Sequence, residues 1–143
     1  MESIRYKIPN SLFKNLFSLN LSKGKSSHIG DDAYKIVESY FLTKSGFVST
    51  IEKGKNGADM AVHYSNGKIE LYEIKGTEDE AIAWSKLKVS SQACYNGLIQ
   101  GMILIRVTSI GSKTVTLHFM KYKEDFNLKP EARWSVTPVN KRL

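Results

Sequence analysis

The chain has very little cysteine, since Cys94 is the single cysteine among 143 residues. One cysteine cannot close an internal disulfide, so nothing in the sequence points to an oxidising compartment. Cys94 lies beside Ala93 and Leu98 in a stretch with an amphipathic helical pattern. A thiol in such a setting is more often a small core residue than a nucleophile. We therefore expect a fold that its apolar core holds together, which a chain of this length can build without disulfides.

Long apolar runs are also absent. No segment of the sequence reaches the roughly 18 consecutive apolar residues of a transmembrane helix. The first 30 residues contain one arginine, one acidic residue and an interrupted apolar pattern, which makes a poor secretory signal and a weak organellar presequence. We expect an intracellular, cytoplasmic protein that does not enter a membrane, and we leave organellar targeting open.

Two common site patterns are missing. The three histidines, His28, His63 and His118, are scattered and show no metal-ligand spacing, which argues against a histidine zinc site. The segment Lys23-Gly24-Lys25-Ser26 lacks the fuller glycine spacing of a phosphate-binding loop, and no strand pattern precedes it. Nucleotide hydrolysis is therefore rejected, and the segment is interpreted as a flexible basic stretch.

Positive charge is abundant. Twenty-one lysines and arginines against 14 acidic residues give a net charge of +7 and a pI near 9.4. This balance favours an anionic partner, either nucleic acid or an anionic membrane surface, although a merely basic soluble protein has the same charge. Charge alone does not choose among these classes.

Apolar periodicity predicts the order of the elements. An N-terminal helical arm precedes an α/β fold, in which helices flank a mixed sheet in the order α-β-β-β-α-β-β. We divide the chain into residues 1–30, an arm that is a possible dimerisation segment, and residues 31–143, the main domain. The predicted helices begin near residue 10 and cover 31–44 and 78–98, the last with a break near residues 88–90 as an alternative. The predicted strands cover 47–51, 58–64, 68–75, 102–107 and 114–120, before an irregular tail from residue 121.

A tight hairpin joins the second and third predicted strands. The Asn66-Gly67 pair is the sequence signal of a two-residue β-turn. Pairing residue 64 with residue 68 places Asp59 opposite Glu73. Alternation along the strand then puts Lys75 on the same face as Glu73. The hairpin therefore predicts two carboxylates and a lysine side by side.

This set of side chains suits metal-assisted phosphodiester cleavage. Neighbouring carboxylates repel each other, so a site that holds both usually holds a cation as well. Oxygen ligands such as Asp59, Glu73 and the carbonyl of Ile74 suit Mg²⁺, for which Mn²⁺ is expected to substitute. Such a metal polarises a phosphate and activates water, and Lys75 would serve the nucleophile. The alternative is an ordinary hairpin with exposed ion pairs, each contributing about 0–1 kcal/mol.

These residues resemble the motif of the PD-(D/E)XK nuclease superfamily, which includes many restriction enzymes and Holliday-junction resolvases. The resemblance covers about Asp31 to Val107, with Asp59 as the first acid and Glu73-Ile74-Lys75 as the triplet. The proline that often precedes the first acid is Ala58 here. The resemblance implies a restriction-endonuclease-like core and a Mg²⁺-dependent endonuclease that hydrolyses DNA phosphodiester bonds.

The resemblance also suggests further site residues. Glu38, on the helix before the meander, would be the helical glutamate that approaches the metal, and Gln92 the polar residue on the later helix. A solvated helix face explains either residue equally well. The lysines expected to hold the nucleic-acid backbone are Lys23, Lys25, Lys55, Lys86 and Lys88.

Several alternatives stay open at this point. The DNA substrate fits restriction, junction resolution, nicking or repair, and RNA is not distinguished from DNA. A homodimer without a small-molecule cofactor is expected, because cutting both strands with so small a protein favours a symmetric pair. The rival functions are a non-catalytic nucleic-acid-binding module on the same fold and an interaction subunit of a larger nucleoprotein complex. Arg106 either pairs with a core acid or points into the cleft, and Trp84 and Trp134 either stack on bases or pack in the protein.

Overall fold

The structure is a computed structural model that describes residues 1–17, 26–44, 46–55, 57–130 and 134–139. These residues form an α/β fold with two sheets, and none of the helices within them is long and apolar enough to span a membrane. The elements are β1 (Glu2–Lys7), α1 (Asn10–Phe17), α2 (Ser26–Leu42), β2 (Val48–Lys55), β3 (Ala58–Tyr64), β4 (Ile69–Gly76), a 3-10 helix (Trp84–Lys86), β5 (Lys88–Val89), α3 (Gln92–Ile99), β6 (Ile103–Thr108), β7 (Thr114–Met120), β8 (Phe126–Lys129) and β9 (Trp134–Pro138).

The central sheet has six strands in the order β1-β7-β6-β4-β3-β2. β4 and β6 run parallel, and all other neighbours are antiparallel. A parallel pair needs a crossover connection, which the segment with the 3-10 helix, β5 and α3 provides. The predicted α/β class with a mixed sheet is therefore confirmed.

The β3–β4 hairpin has the register that the turn signal predicts. Met60 pairs with Tyr72, and the Tyr64 N–H donates to the Lys68 carbonyl over 2.8 Å. Gly67 has φ of 91°, a left-handed conformation that favours glycine at this turn. Continuing the same pairing by one residue sets Asp59 opposite Glu73.

The helix α2 covers one face of the central sheet. Its apolar residues recur at helical spacing and are fully buried, as at Ala33, Ile36 and Val37. They pack against Tyr72 and Ile74 of β4 in a single core cluster. The helix begins at Ser26, five residues before the predicted start, so Asp31 and Asp32 lie within the helix and not at its first position.

A second, smaller core covers part of the other face of the central sheet. Two predictions about the segments that form this core are wrong. The helix predicted over 78–98 is wrong, because only Gln92–Ile99 is α-helical and Trp84–Lys86 forms a single short 3-10 helix. Ser91 begins this helix by accepting a hydrogen bond from the Cys94 N–H at 3.1 Å, and the chain before it is extended. The tail predicted to be irregular contains β8 and β9, which form a three-stranded sheet with β5. The pairing of β5 with β9 joins residues at least 45 positions apart, as between Lys88 and Ser135.

The N-terminal residues join the main sheet. β1 pairs antiparallel with β7 and forms one edge of the six-stranded sheet, and α1 begins at Asn10 as predicted. Ile8 and Leu16 are buried in the same core as α2. Residues 18–25 of the predicted arm lie outside the described residues, and the dimerisation role of the arm stays a prediction.

Candidate active site

Asp59 is fixed to β4 by its own side chain. The ladder between β3 and β4 runs as far as Met60 and Tyr72. One residue further along, the Ile74 N–H donates to Asp59 Oδ2 over 2.8 Å. The Asp59 carboxylate therefore lies beside β4, the strand that carries Glu73 and Lys75, as the hairpin register predicts.

Glu73 is a buried acid with a perturbed pKa. The residue is 6% exposed, and burial together with the charge of Asp59 raises the pKa of Glu73 to about 7. The ammonium of Lys75 acts in the opposite direction, with its Nζ 3.5 Å from Glu73 Oε2. A carboxyl that takes up its proton near neutral pH marks a site whose negative charge is not fully compensated.

The two acids, Asp59 and Glu73, lie in a cleft of about 890 Å³ at the end of β4. Its walls are the first turns of α2, the end of β2 and the segment from the 3-10 helix to β5. Basic side chains outnumber acidic ones by six to three along these walls. The basic residues are Lys35, Lys53, Lys75, Lys86, Lys88 and Arg106, and the acidic residues are Asp31, Asp59 and Glu73.

Several predicted site residues meet in this cleft. Ile74 and Lys75 line it beside the two acids, and so do Lys86 and Lys88. Lys86 Nζ is 2.9 Å from Asp79 Oδ2, and Lys88 Nζ donates to Ser135 Oγ over 3.0 Å. The backbone of Lys55 pairs with Ala58 at the end of β2. The Lys55 side chain, and Lys23 and Lys25 entirely, lie outside what the structure describes.

Two predicted site residues lie elsewhere. Glu38 lines a separate groove between α1 and α2, with Leu12 and Leu42. Gln92 is exposed on α3, where its Nε2 donates to Asn96 Oδ1 over 2.9 Å. The structure therefore brings neither side chain into the cleft, and their catalytic roles stay predictions.

The cleft also contains charged and aromatic side chains that the sequence did not predict there, among them Lys35. Asp31 and Tyr34 come from the first turns of α2, and Lys53 comes from β2, with its Nζ 5.1 Å from the centroid of the Tyr34 ring. Burial raises the pKa of Tyr34, followed by the charges of Glu38 and Asp59. A polar stripe at helical spacing through 31, 34 and 35 is visible in the sequence, but it does not reveal which end of α2 meets the sheet edge.

Arg106 lines the cleft as a buried cation that, among the described residues, has backbone carbonyls rather than a carboxylate as its hydrogen-bond partners. It is 2% exposed, and its Nε and Nη1 donate to the carbonyls of Ile82 and Gly76 over 2.8 and 3.1 Å. Burial lowers the pKa of Arg106 to about 10, and the charge of Asp79 acts in the opposite direction. The guanidinium thus connects the loop after β4 to β6, and it adds positive charge to the cleft.

His63 and the two tryptophans contact other side chains of the protein. His63 Nε2 lies 2.6 Å from Glu52 Oε1 on the neighbouring strand. The ring of Trp134 stacks on Tyr95 with 4.8 Å between centroids, and Trp84 packs against the second core. None of these side chains lines the cleft.

The donor set of the cleft fits a hard divalent cation. Asp59 and Glu73 offer carboxylate oxygens beside the backbone of Ile74, and their mutual repulsion favours a positive ion. Among the residues that the structure describes, no three His, Cys, Asp or Glu side chains form a ligand cluster. Mg²⁺ commonly uses only one or two carboxylates, with water and substrate oxygens completing its shell, so the pair suits Mg²⁺ better than a site enclosed by protein.

Comparison with protein-family models, with curated proteins and with solved structures finds no match to this chain. The resemblance drawn from the sequence therefore rests on the acid pair, the lysine and the order of the elements around them.

Proposed function

We propose that the protein is a Mg²⁺-dependent endonuclease that hydrolyses DNA phosphodiester bonds. One observation carries the proposal: Asp59 and Glu73 lie on adjacent strands in a cleft whose charged side chains are mainly basic, with Lys75 3.5 Å from Glu73. Basic walls attract a phosphodiester, and the acid pair supplies the charge that a metal ion requires.

The order of elements around the pair supports a restriction-endonuclease-like core. The helix α2, the three antiparallel strands β2, β3 and β4, the helix α3 and the parallel strand β6 follow one another along the chain. This order is the one that the PD-(D/E)XK resemblance implies, with the acids on the second and third strands. DNA as the substrate and a homodimer as the active form remain part of the proposal.

The side chains of the cleft have separate roles in this proposal. Asp59, Glu73 and the Ile74 carbonyl would hold Mg²⁺, which when bound supplies Lewis-acid polarisation of the phosphate and activation of water. The ammonium of Lys75 orients the attacking water and offsets the negative charge that builds on the phosphate. The water oxygen forms a new bond to phosphorus and releases a proton to solvent, one ester P–O bond breaks, and the leaving oxygen takes up a proton from solvent.

The direct test is cleavage of plasmid, branched and single-stranded DNA in Mg²⁺. Wild type should cut at least one of these substrates, while Asp59→Ala and Lys75→Ala should lose cutting by about 100-fold or more. Lys68→Ala is the matched control, because Lys68 is an exposed lysine near the other end of the same hairpin. The proposal fails if wild type cuts no faster than the Asp59 and Lys75 variants.

A non-catalytic nucleic-acid-binding module is the second candidate. The basic side chains along the cleft favour it, since basic walls bind phosphates without a metal. Calorimetric titration with Mn²⁺ separates the two functions. Saturable binding that Asp59→Ala abolishes supports the enzyme, and binding of DNA without any uptake of Mn²⁺ supports the module.

A further inference from the structure

A second cavity lies at the other end of the central sheet. It has a volume of about 380 Å³, within the usual range for small-molecule sites, and none of the described residues lines both it and the cleft. Tyr64 at the end of β3 and Ile103 at the start of β6 line it, whereas the cleft lies at the start of β3 and the end of β4. The cavity is therefore independent of the candidate active site.

Five aromatic rings line this cavity. The Phe41 and Tyr72 centroids are 5.1 Å apart, and the Tyr72 and Phe119 centroids are 6.4 Å apart with nearly perpendicular planes. Tyr64 and Tyr72 hydrogen-bond to each other through their hydroxyls over 2.7 Å, and both residues line the cavity. The ring faces of Phe, Tyr and Trp carry negative potential. The five rings belong to Tyr40, Phe41, Tyr64, Tyr72 and Phe119.

The residues that line the cavity include more acids than bases. Glu2 and Glu124 form an exposed acidic rim and Asp125 is buried, against Lys121 and Met1. Asp125 is engaged by both of these residues, since it lies 3.0 Å from the Met1 α-amino nitrogen and accepts from the Lys121 N–H at 2.9 Å. Glu2 and Glu124 are exposed. An acidic rim stands out in a chain whose net charge is +7.

We propose that this cavity binds a small organic cation, a methylated ammonium group carried on a short uncharged molecule. Aromatic faces attract such a cation and also bury its methyl groups, and carboxylates at the rim attract it over a longer distance. Tyr40 already takes part in one contact of this kind, with the Lys44 Nζ 5.4 Å from its ring centroid. Anions are disfavoured by the same charges. This inference does not depend on the proposed nuclease function.

The test is a titration of the intact protein followed by NMR, with three probes. These are tetramethylammonium, choline and the neutral isostere of choline in which a tert-butyl group replaces trimethylammonium. The two cations should give saturable shifts at the cavity residues, and choline should bind about tenfold or more tightly than its isostere. Equal affinity for choline and the isostere overturns the proposal, and so does the absence of saturable shifts up to about 50 mM cation.

Single substitutions test the two features separately. Tyr64→Leu keeps an apolar side chain but removes a π face, and it should weaken choline binding about fivefold. Glu124→Gln removes a rim charge and should weaken binding about twofold. Tyr95→Leu is the control, because Tyr95 is a half-buried tyrosine that stacks on Trp134 outside the cavity. Unchanged binding in folded Tyr64→Leu overturns the proposal; if that variant does not fold, unchanged binding in Glu124→Gln does so.

Discussion

At the scale of single residues, the surroundings of Glu73 disfavour its ionised form. Its side chain is buried beside the like charge of Asp59, and a single ammonium, that of Lys75, lies within 4 Å among the described residues. Natural proteins accept such unfavourable arrangements mainly at functional sites, where the charge serves a ligand rather than the fold. This unfavourable arrangement has a measurable consequence for stability.

The free energy of unfolding of the metal-free protein should fall as pH rises from 4.5 to about 7. Over this interval the unfolded chain releases the Glu73 proton while the folded chain retains it, because the pKa rises from 4.5 to about 7 on folding. At about 1.4 kcal/mol per pH unit, the loss is roughly 3 kcal/mol. Glu73→Gln cannot titrate, so it should be as stable as wild type near pH 4 and more stable at pH 8.

Urea unfolding of both proteins in a chelator checks this prediction. The same pH dependence in wild type and Glu73→Gln would contradict it. Adding Mg²⁺ at pH 8 should stabilise wild type and leave Glu73→Gln nearly unchanged, because an ion that binds only the folded state adds to its stability. This second measurement links the buried charge to the metal without requiring cleavage.

The acid on α2 that serves the site can be identified by two substitutions. Asp31 lines the cleft, whereas Glu38 lines the groove between α1 and α2. Asp31→Asn should therefore lower the cleavage rate by about 10-fold or more, as is typical when a residue around a metal site is changed. Glu38→Gln should have the smaller effect. A larger loss in Glu38→Gln would support the role that the family resemblance implies for Glu38.

At the scale of elements, the candidate active site depends on how closely α2 approaches the end of β4. Gly76 makes that contact, because a Cβ at this position would collide with Ile110 Cδ1 and lie 2.8 Å from Ala33 Cβ. The missing side chain lets the first turns of α2, including Asp31 and Tyr34, reach the cleft. A short-range sequence pattern does not reveal this requirement, since the three residues in contact are far apart in the chain.

Gly76→Ala should lower the free energy of unfolding by about 1–3 kcal/mol, the usual cost of overpacking a tight core. Gly30→Ala is the matched control, because nothing lies within 4 Å of a Cβ at this position of α2. Alanine there should stabilise the helix by about 0.5–1 kcal/mol. Chemical denaturation of both variants tests the contact, and equal effects in the two would show that the approach of α2 to β4 is not tight.

At the scale of the whole molecule, charge is distributed unevenly. The cleft concentrates six basic side chains on its walls, while the aromatic cavity at the other end of the sheet has an acidic rim. A polyanion would therefore approach from the cleft side, and a small cation from the other. Electrostatic steering of this kind is sensitive to salt.

DNA binding should weaken steeply with added salt. Each phosphate contact that a lysine makes contributes about 1 to the slope of log affinity against log salt concentration. Lys86→Ala and Lys88→Ala should each reduce that slope by about 1, and Lys68→Ala should leave it unchanged. Fluorescence anisotropy at several salt concentrations measures this. A slope that does not change in either cleft variant would place the DNA elsewhere on the surface.

The amino-acid sequence was sufficient wherever local geometry decides the outcome. Asn66-Gly67 predicts a turn, the turn fixes the register, and the register brings Asp59 opposite Glu73. Lys75 follows from strand alternation alone. The buried face of α2 follows from its apolar spacing. Each of these inferences spans fewer than about 20 residues, over which backbone periodicity is a reliable guide.

Only the tertiary structure decided what depends on distant contacts. The sequence pattern predicts a helix over 78–98, but β5 within this range pairs with β9 of the tail. The observed helix therefore begins only after Ser91. The approach of α2 to Gly76 brings Asp31 into the cleft and leaves Glu38 outside it. Local periodicity determined the acid pair, whereas packing between remote segments determined which side chains surround it, because the energies of such contacts leave no short-range pattern in the chain.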